Sequence, residues 1–262
     1  MEDLKLVYKK VHIGHNFSLS YRTVGEGKHL VFLHGWGYPW KIEPDFISSL
    51  AKQYELIFLD LPGYGQSSWE GIKGTVFEYA QTLAKFLAKL GIANEAILIG
   101  HSMGSVVILN YLVDHPKFGN RILFCGLPLG EKMPLWVKLL LFLRLQKLIS
   151  KFHKLSQMAV DYISRETQKI GGKKPERKTY EGSVEPEILI NNALSVLESK
   201  NLKTYKSVAA KPVLIYGEKE RFKKFCDRRK LPCYIIKEAG HSPMTEKPRE
   251  TAELILKILK KD

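Results

Sequence analysis

The stretch Ala96-Ile97-Leu98-Ile99-Gly100-His101-Ser102-Met103-Gly104 decides the fold. Its first five residues form a short continuous apolar run, as in a strand buried on both faces. Residues 103–114 then read as a helix that ends before Pro116. Between strand and helix the spacing is Gly-x-Ser-x-Gly, the pattern of a nucleophile elbow. The two glycines allow a sharp turn that a Cβ would obstruct. The turn lifts the Ser102 hydroxyl above the sheet edge. The helix N-terminus behind it aims backbone N–H groups at any negative charge formed there.

Outward from this stretch, strands and helices alternate. Residues 29–33, 56–60 and 121–125 repeat the short apolar run, and residues 211–217 and 232–237 resume it later. Helical periodicity marks residues 43–53, 75–90 and 246–260, with Thr75 and Gly91 as the expected caps of the second. Residues 5–13 and 18–24 alternate as an early hairpin turning near Gly14-His15-Asn16. Such an order predicts an α/β fold: a mostly parallel β-sheet flanked by helices. Residues 128–205 break the alternation, being helix-like and basic without a clear buried strand. The expected division is a core of residues 1–127 and 211–262 with a helical cap (lid) insertion at 128–210. Its expected seat is the sheet's C-terminal edge, where ligands bind.

A chain of 262 residues is one large domain, or one domain with an insertion. With 45% hydrophobic and 26% charged residues it is not a disordered chain. Its three cysteines, Cys125, Cys226 and Cys233, are too few for a disulfide framework and lack zinc-site pairing. A reduced, cytoplasmic setting is expected. The acidic start, Met1-Glu2-Asp3, lacks the apolar region of a signal peptide. The longest apolar stretch, near residues 135–145, is broken by Lys138 and Arg144 and falls short of the roughly 20 residues that span a bilayer.

The net charge of +14 is regional. Residues 1–131 carry 12 basic and 12 acidic side chains, residues 132–178 carry 12 and 3, and residues 203–230 carry 10 and 3. This asymmetry suits either a solvated surface or an acidic partner. No zinc-finger or RNA-recognition motif accompanies it, so no nucleic-acid partner is expected.

A serine nucleophile needs a general base. His241, in Ala239-Gly240-His241-Ser242-Pro243 between the last strand and the last helix, is the candidate. The base needs an acid to fix its tautomer. Glu220, just past the strand ending near Tyr216, is the first candidate and Asp227 the alternative; Glu218 lies too close to the strand end. The oxyanion hole calls for two backbone N–H groups, assigned to Met103 and to Trp36 in His34-Gly35-Trp36-Gly37. His34 and His101 are read as shaping these loops. His34, Gly35 and His101, with Trp136 and Leu140 from the insertion, complete the expected substrate-contacting set. No metal or organic cofactor is required by this chemistry.

Five segments carry a resemblance: His34–Gly37, Asp60-Leu61-Pro62-Gly63-Tyr64-Gly65-Gln66-Ser67, Gly100–Gly104, Pro212–Gly217 and Gly240–Pro243. The chain resembles the α/β-hydrolase superfamily, nearest its carboxylesterase-like branch, over residues 1–127 and 211–262. The resemblance implies an α/β-hydrolase fold and a serine carboxylic-ester hydrolase with a Ser102-His241-Glu220 triad, working through an acyl-enzyme on a small-molecule ester. Glu220 stands where the family usually has Asp, so an extra methylene must be accommodated and Asp227 stays open. The dehalogenases and epoxide hydrolases of the fold use an aspartate nucleophile, so Ser102 disfavours them; perhydrolases and C–C hydrolases stay open. A weakly catalytic small-molecule receptor could carry the same triad.

In the insertion, Arg144, Lys147, Lys151 and Lys154 recur at helical spacing, and Trp136, Leu140, Leu143, Phe152 and Leu155 supply apolar surface. Three readings stand side by side. The segment is a cap helix over the site, a surface for anionic lipid as in a lipase or lysophospholipase, or a dock for an acidic carrier protein. Gly171-Gly172-Lys173-Lys174-Pro175 reads as a flexible loop within it. Nothing in the sequence sets the oligomeric state.

Overall fold

A computed structural model of the chain describes residues 6–14, 17–37, 40–41, 43–119, 121–130, 135, 152–173 and 182–260. The described strands are β1 (Val7–His12), β2 (Ser18–Val24), β3 (Lys28–Leu33), β4 (Tyr54–Leu59), β5 (Ile97–His101), β6 (Ile122–Cys125), β7 (Val213–Gly217) and β8 (Tyr234–Ile236). They form one sheet in the order β1-β2-β4-β3-β5-β6-β7-β8. The two pairings of β2, with β1 and with β4, are antiparallel; all others are parallel. The described helices are α1 (Pro44–Leu50), α2 (Val76–Leu90), α3 (Met103–Asp114), α4 (His153–Ile170), α5 (Pro186–Glu198), α6 (Asn201–Ser207), α7 (Arg221–Arg229), α8 (Pro243–Glu246) and α9 (Pro248–Leu259).

The apolar runs are continuous because the central strands have cores on both faces. In β3, Val31 and Leu33 join one cluster with Tyr79, Leu83, Phe86 and Val106 of α2 and α3. Leu30 and Phe32 join a second with Phe46, Leu50 and Ile255 of α1 and α9. Each such side chain contributes roughly 1.5–3 kcal/mol on burial, which holds both helix layers to the sheet. Helix α2 starts with a capping box between Thr75 and Glu78 and ends at Gly91, φ 74°, where the sequence sets its limits.

The helix expected over residues 246–260 is α9, Pro248–Leu259, and the short α8 precedes it. Pro248 excludes helical backbone at the residue before it, and Lys247 has φ −141° and ψ 64°, which separates α8 from α9.

The described part of residues 128–210, the expected insertion, packs into the first core. Val160, Val184, Ile188, Leu189 and Ile190 pack in the same cluster as Leu33 and Leu61. Helix α5 crosses the loops at the C-terminal ends of β3 and β4. Trp36 Nε1 donates to Leu189 O (2.8 Å) and Tyr64 Oη to Asn192 Oδ1 (2.7 Å), while Asn192 Nδ2 donates to Gly74 O. Residues 136, 140, 143, 144, 147 and 151 lie outside the described residues, so Trp136, Leu140 and most of the basic row have no placement here. Lys154, Phe152 and Leu155 are exposed at the start of α4. No helix among the described residues is long and apolar enough to cross a membrane.

Behind β4, Asp60 is buried 3.6 Å from the Arg22 guanidinium. Burial outweighs Arg22 and raises its pKa to about 6. A raised carboxyl pKa means that the folded state binds a proton that the unfolded chain releases. Relative to Asp60→Asn, the wild type therefore gains stability as pH falls from about 7 to about 4. The gain reaches about 3 kcal/mol, the linkage equivalent of that rise. Melting temperatures of both proteins across this range measure it; a constant difference would refute the assignment.

Candidate active site

Ser102 occupies the junction of β5 and α3 with φ 50° and ψ −112°, a left-handed conformation costly for a residue with a side chain. Two close approaches hold it there. A Cβ on Gly100 would lie 2.5 Å from Ser105 N, and one on Gly104 would overlap Leu33 O and lie 2.8 Å from His34 O. The Ser102 amide donates to Cys125 O of β6 at 2.9 Å. The backbone that carries the hydroxyl is thus held on both sides of the serine and at its amide.

His241 lies in the loop between β8 and α8 and is 7% exposed. Its Nε2 is 2.8 Å from Ser102 Oγ and its Nδ1 is 2.6 Å from Glu220 Oε1. Glu220 is the N-cap of α7 and fully buried. A carboxylate can only accept, so Nδ1 carries the proton and Nε2 is left to accept from the Ser102 hydroxyl. Burial raises the Glu220 carboxyl well above the usual carboxylate range, and the nearby Glu246 charge adds to the rise. Among the described residues Glu220 Oε2 has no hydrogen-bond partner, and Oε1 is the oxygen that meets His241. Asp227 is not brought to the site. It sits two turns along α7, exposed, with its carboxylate 2.9 Å from Lys223 Nζ. Glu218 accepts from Glu238 N instead (3.0 Å).

The two loops expected to hold an oxyanion meet beside Ser102. Met103 opens α3, so its N–H is among the first four of the helix, which no helical carbonyl accepts. A Cβ on Gly35 would lie 2.9 Å from His101 Nδ1 and 3.4 Å from Ser102 Cβ, which puts the Gly35-Trp36 loop against the serine. The Trp36 ring reaches away to α5. His34 Nε2 accepts from Leu61 N–H (3.1 Å), so its Nδ1–H donates to Gly35 O (2.8 Å). His101 Nε2–H donates to His241 O at 2.9 Å. Burial lowers the pKa of His34 to about 4 and of His101 to about 3. Both rings are therefore neutral at pH 7 and tie backbone together, with His34 1% exposed. The Cys125 thiol beside them is pushed up to about 12 by burial, so it stays protonated at neutral pH.

Four contributors escaped the sequence reading. Gly126, φ 70°, follows β6, and a Cβ there would lie 3.0 Å from His241 Cε1 and 3.2 Å from Glu220 Oε1. Its only sequence signal is a glycine after a buried strand. Asn192 ties α5 to the loops in front of the serine. Gly171 and Glu246 hold the His241 loop. Among the described residues no group of three or more His, Cys, Asp or Glu side chains could hold a metal ion.

A family model described as "Alpha/beta hydrolase family" matches residues 30–254. A pimeloyl-(acyl-carrier protein) methyl ester esterase of Proteus mirabilis is 25% identical over 257 residues, covering 91% of this chain and 95% of that protein. A thermophilic esterase from Thermogutta terrifontis superposes with a TM-score of 0.75 at 18% identity, over 97% of this chain and 98% of that one. An epoxide hydrolase superposes with a TM-score of 0.68 at 17% identity, over 97% and 98% of the two chains. At such identities the solved structures speak for the fold alone.

Proposed function

The chain belongs to the alpha/beta hydrolase family, and on that premise we propose that it is a serine carboxylic-ester hydrolase acting through an acyl-enzyme. The observation that carries this reading is the run of two hydrogen bonds, 2.8 Å from Ser102 to His241 and 2.6 Å from His241 to Glu220. Ser102 Oγ attacks the ester carbonyl as His241 Nε2 takes its proton. The resulting imidazolium keeps its Nδ1–H on Glu220, whose charge stabilises it. The Met103 and Trp36 N–H groups hold the oxyanion, each worth a few kcal/mol of barrier. Collapse of the tetrahedral intermediate expels the alcohol, which takes the proton from Nε2. Water, deprotonated by the same nitrogen, then attacks the acyl carbon, and the acid leaves as Ser102 Oγ takes the proton back from Nε2. A reduced, cytoplasmic setting suits the three free cysteines.

The test is hydrolysis of p-nitrophenyl esters of graded acyl length, with Ser102→Ala alongside. Multiple turnover that Ser102→Ala abolishes is expected. A short optimum marks a carboxylesterase; a long one favours the lipase-like reading. Ligand binding without turnover would replace the enzyme reading with that of a receptor.

A second reading delivers the ester on an acidic carrier protein. Lys224, Arg228, Arg229 and Lys230 are exposed on and just after α7, the helix that Glu220 caps, and favour it. Carrier-bound ester should then be preferred over free ester, with kcat/KM falling as salt is added. Equal salt response for both substrates would count against it.

A further inference from the structure

Helix α4 ends at Gly171, and the turn that follows is packed, not loose, against the chain that delivers the base and the acid. A Cβ on Gly171 would lie 3.0 Å from the His241 amide nitrogen and 3.2 Å from His241 Cβ. A Cβ on Gly240 would lie 2.6 Å from Gly171 O. Gly172, φ 74°, faces the other segment, with its Cβ position 3.1 Å from Lys219 O, one residue before Glu220. The two segments are themselves joined, Lys219 N–H donating to Ala239 O at 2.9 Å.

A polar relay runs through the same place. Glu246 at the end of α8 accepts the Gly240 N–H on Oε2 at 2.6 Å, and its Oε1 is 3.2 Å from Lys173 Nζ. Glu246 thus touches the residue before His241 with one oxygen and the inserted segment with the other. From the opposite side, His101 holds His241 O. A loop residue that must keep Nε2 within hydrogen-bond reach of Ser102 is held at both its amide neighbour and its carbonyl.

We propose that Glu246 is a positioning residue for His241 and that the Gly171-Gly172-Lys173 turn latches the inserted segment to it, so that seating of the insertion sets the base. This rests on the hydrolase reading. The Gly240–Glu246 hydrogen bond is the working part of the latch. The Lys173 ion pair, with the lysine well exposed, adds the tie to the insertion.

Three variants test it. Glu246→Ala removes the acceptor and should lower kcat about tenfold or more, with KM changed less than about threefold, because an ill-placed base affects chemistry more than binding. Glu246→Gln keeps an acceptor for the Gly240 N–H and should restore kcat to within about threefold of wild type. Gly171→Ala is conformationally free, since Gly171 has φ −79°; its Cβ should press on the His241 amide and lower kcat without relaxing KM. Hydrogen exchange of the peptide covering residues 237–247 gives a readout independent of turnover: faster in Glu246→Ala, restored in Glu246→Gln. Loss of melting temperature with unchanged kcat, no rescue by glutamine, or unchanged exchange would overturn the latch. A wild type without Ser102-dependent turnover would instead overturn the hydrolase reading, and the exchange result would still decide the latch.

Discussion

Glu220→Gln is expected to lower kcat/KM by about 10⁴-fold, the scale seen when a triad acid is replaced by its amide. Two effects act together. An amide can donate as well as accept, so it can hold the imidazole with its proton on Nε2, facing Ser102 with a donor where an acceptor is needed. It also brings no charge to stabilise the imidazolium in a site where Glu220 is fully buried. The fold should not suffer. The buried carboxyl is costly to ionise, as its raised pKa records, and glutamine of the same shape removes that cost. Melting temperature should therefore hold or rise while activity collapses. Asp227→Asn is the matched control. Its carboxylate faces Lys223 and solvent, so kcat/KM should stay within about twofold of wild type. A large loss in Asp227→Asn and a small one in Glu220→Gln would reverse the assignment.

Gly104→Ala should do the most damage to the fold. The added methyl meets backbone rather than side chain, overlapping Leu33 O and lying 2.6 Å from Leu33 C. Neither β3 nor α3 can yield without disturbing the sheet or the Ser102 turn. Overpacking that cannot relax through a side chain costs about 3 kcal/mol or more, which lowers the melting temperature by roughly 6–12 °C in a protein of this size. Esterase activity should fall as well, because relief of the clash moves α3 and with it the Met103 N–H. Gly119→Ala is the comparison: its Cβ position meets only Lys117 O at 3.9 Å, so the change should stay within about 0.5 kcal/mol. Thermal unfolding of the two variants measures both values. Equal stability would mean that the elbow tolerates a Cβ and that its glycine is not structural.

The central strands were legible because burial on both faces removes polar positions and leaves unbroken apolar runs such as Leu30–Leu33. The elbow was legible because its glycines answer a local steric demand. His241 followed from its place between the last strand and a helix. Glu220 was legible as the first candidate from its place just past a strand end, but the choice over Asp227 stayed open. It depends on where α7 begins, and only the helix start decides which carboxylate caps it and which turns to solvent. Gly126 packs against His241 and Glu220 across distant chain segments, Glu246 reaches Lys173 as well as the nearby Gly240, and Asn192 joins α5 to Gly74, a hundred residues and more away. Neither composition nor periodicity carries such pairings. The last helix was legible from its amphipathic periodicity, and it begins at Pro248, whose ring keeps Lys247 out of helical backbone.

The most direct test of the nucleophile is stoichiometric labelling with an aryl phosphonate whose leaving group is p-nitrophenol, followed by mass analysis of the peptides. One equivalent of p-nitrophenol per chain is expected, with the phosphonyl group on Ser102, no label in Ser102→Ala, and much slower labelling in Glu220→Gln. Label on another residue, or none on a folded wild type, would contradict Ser102 as an activated nucleophile.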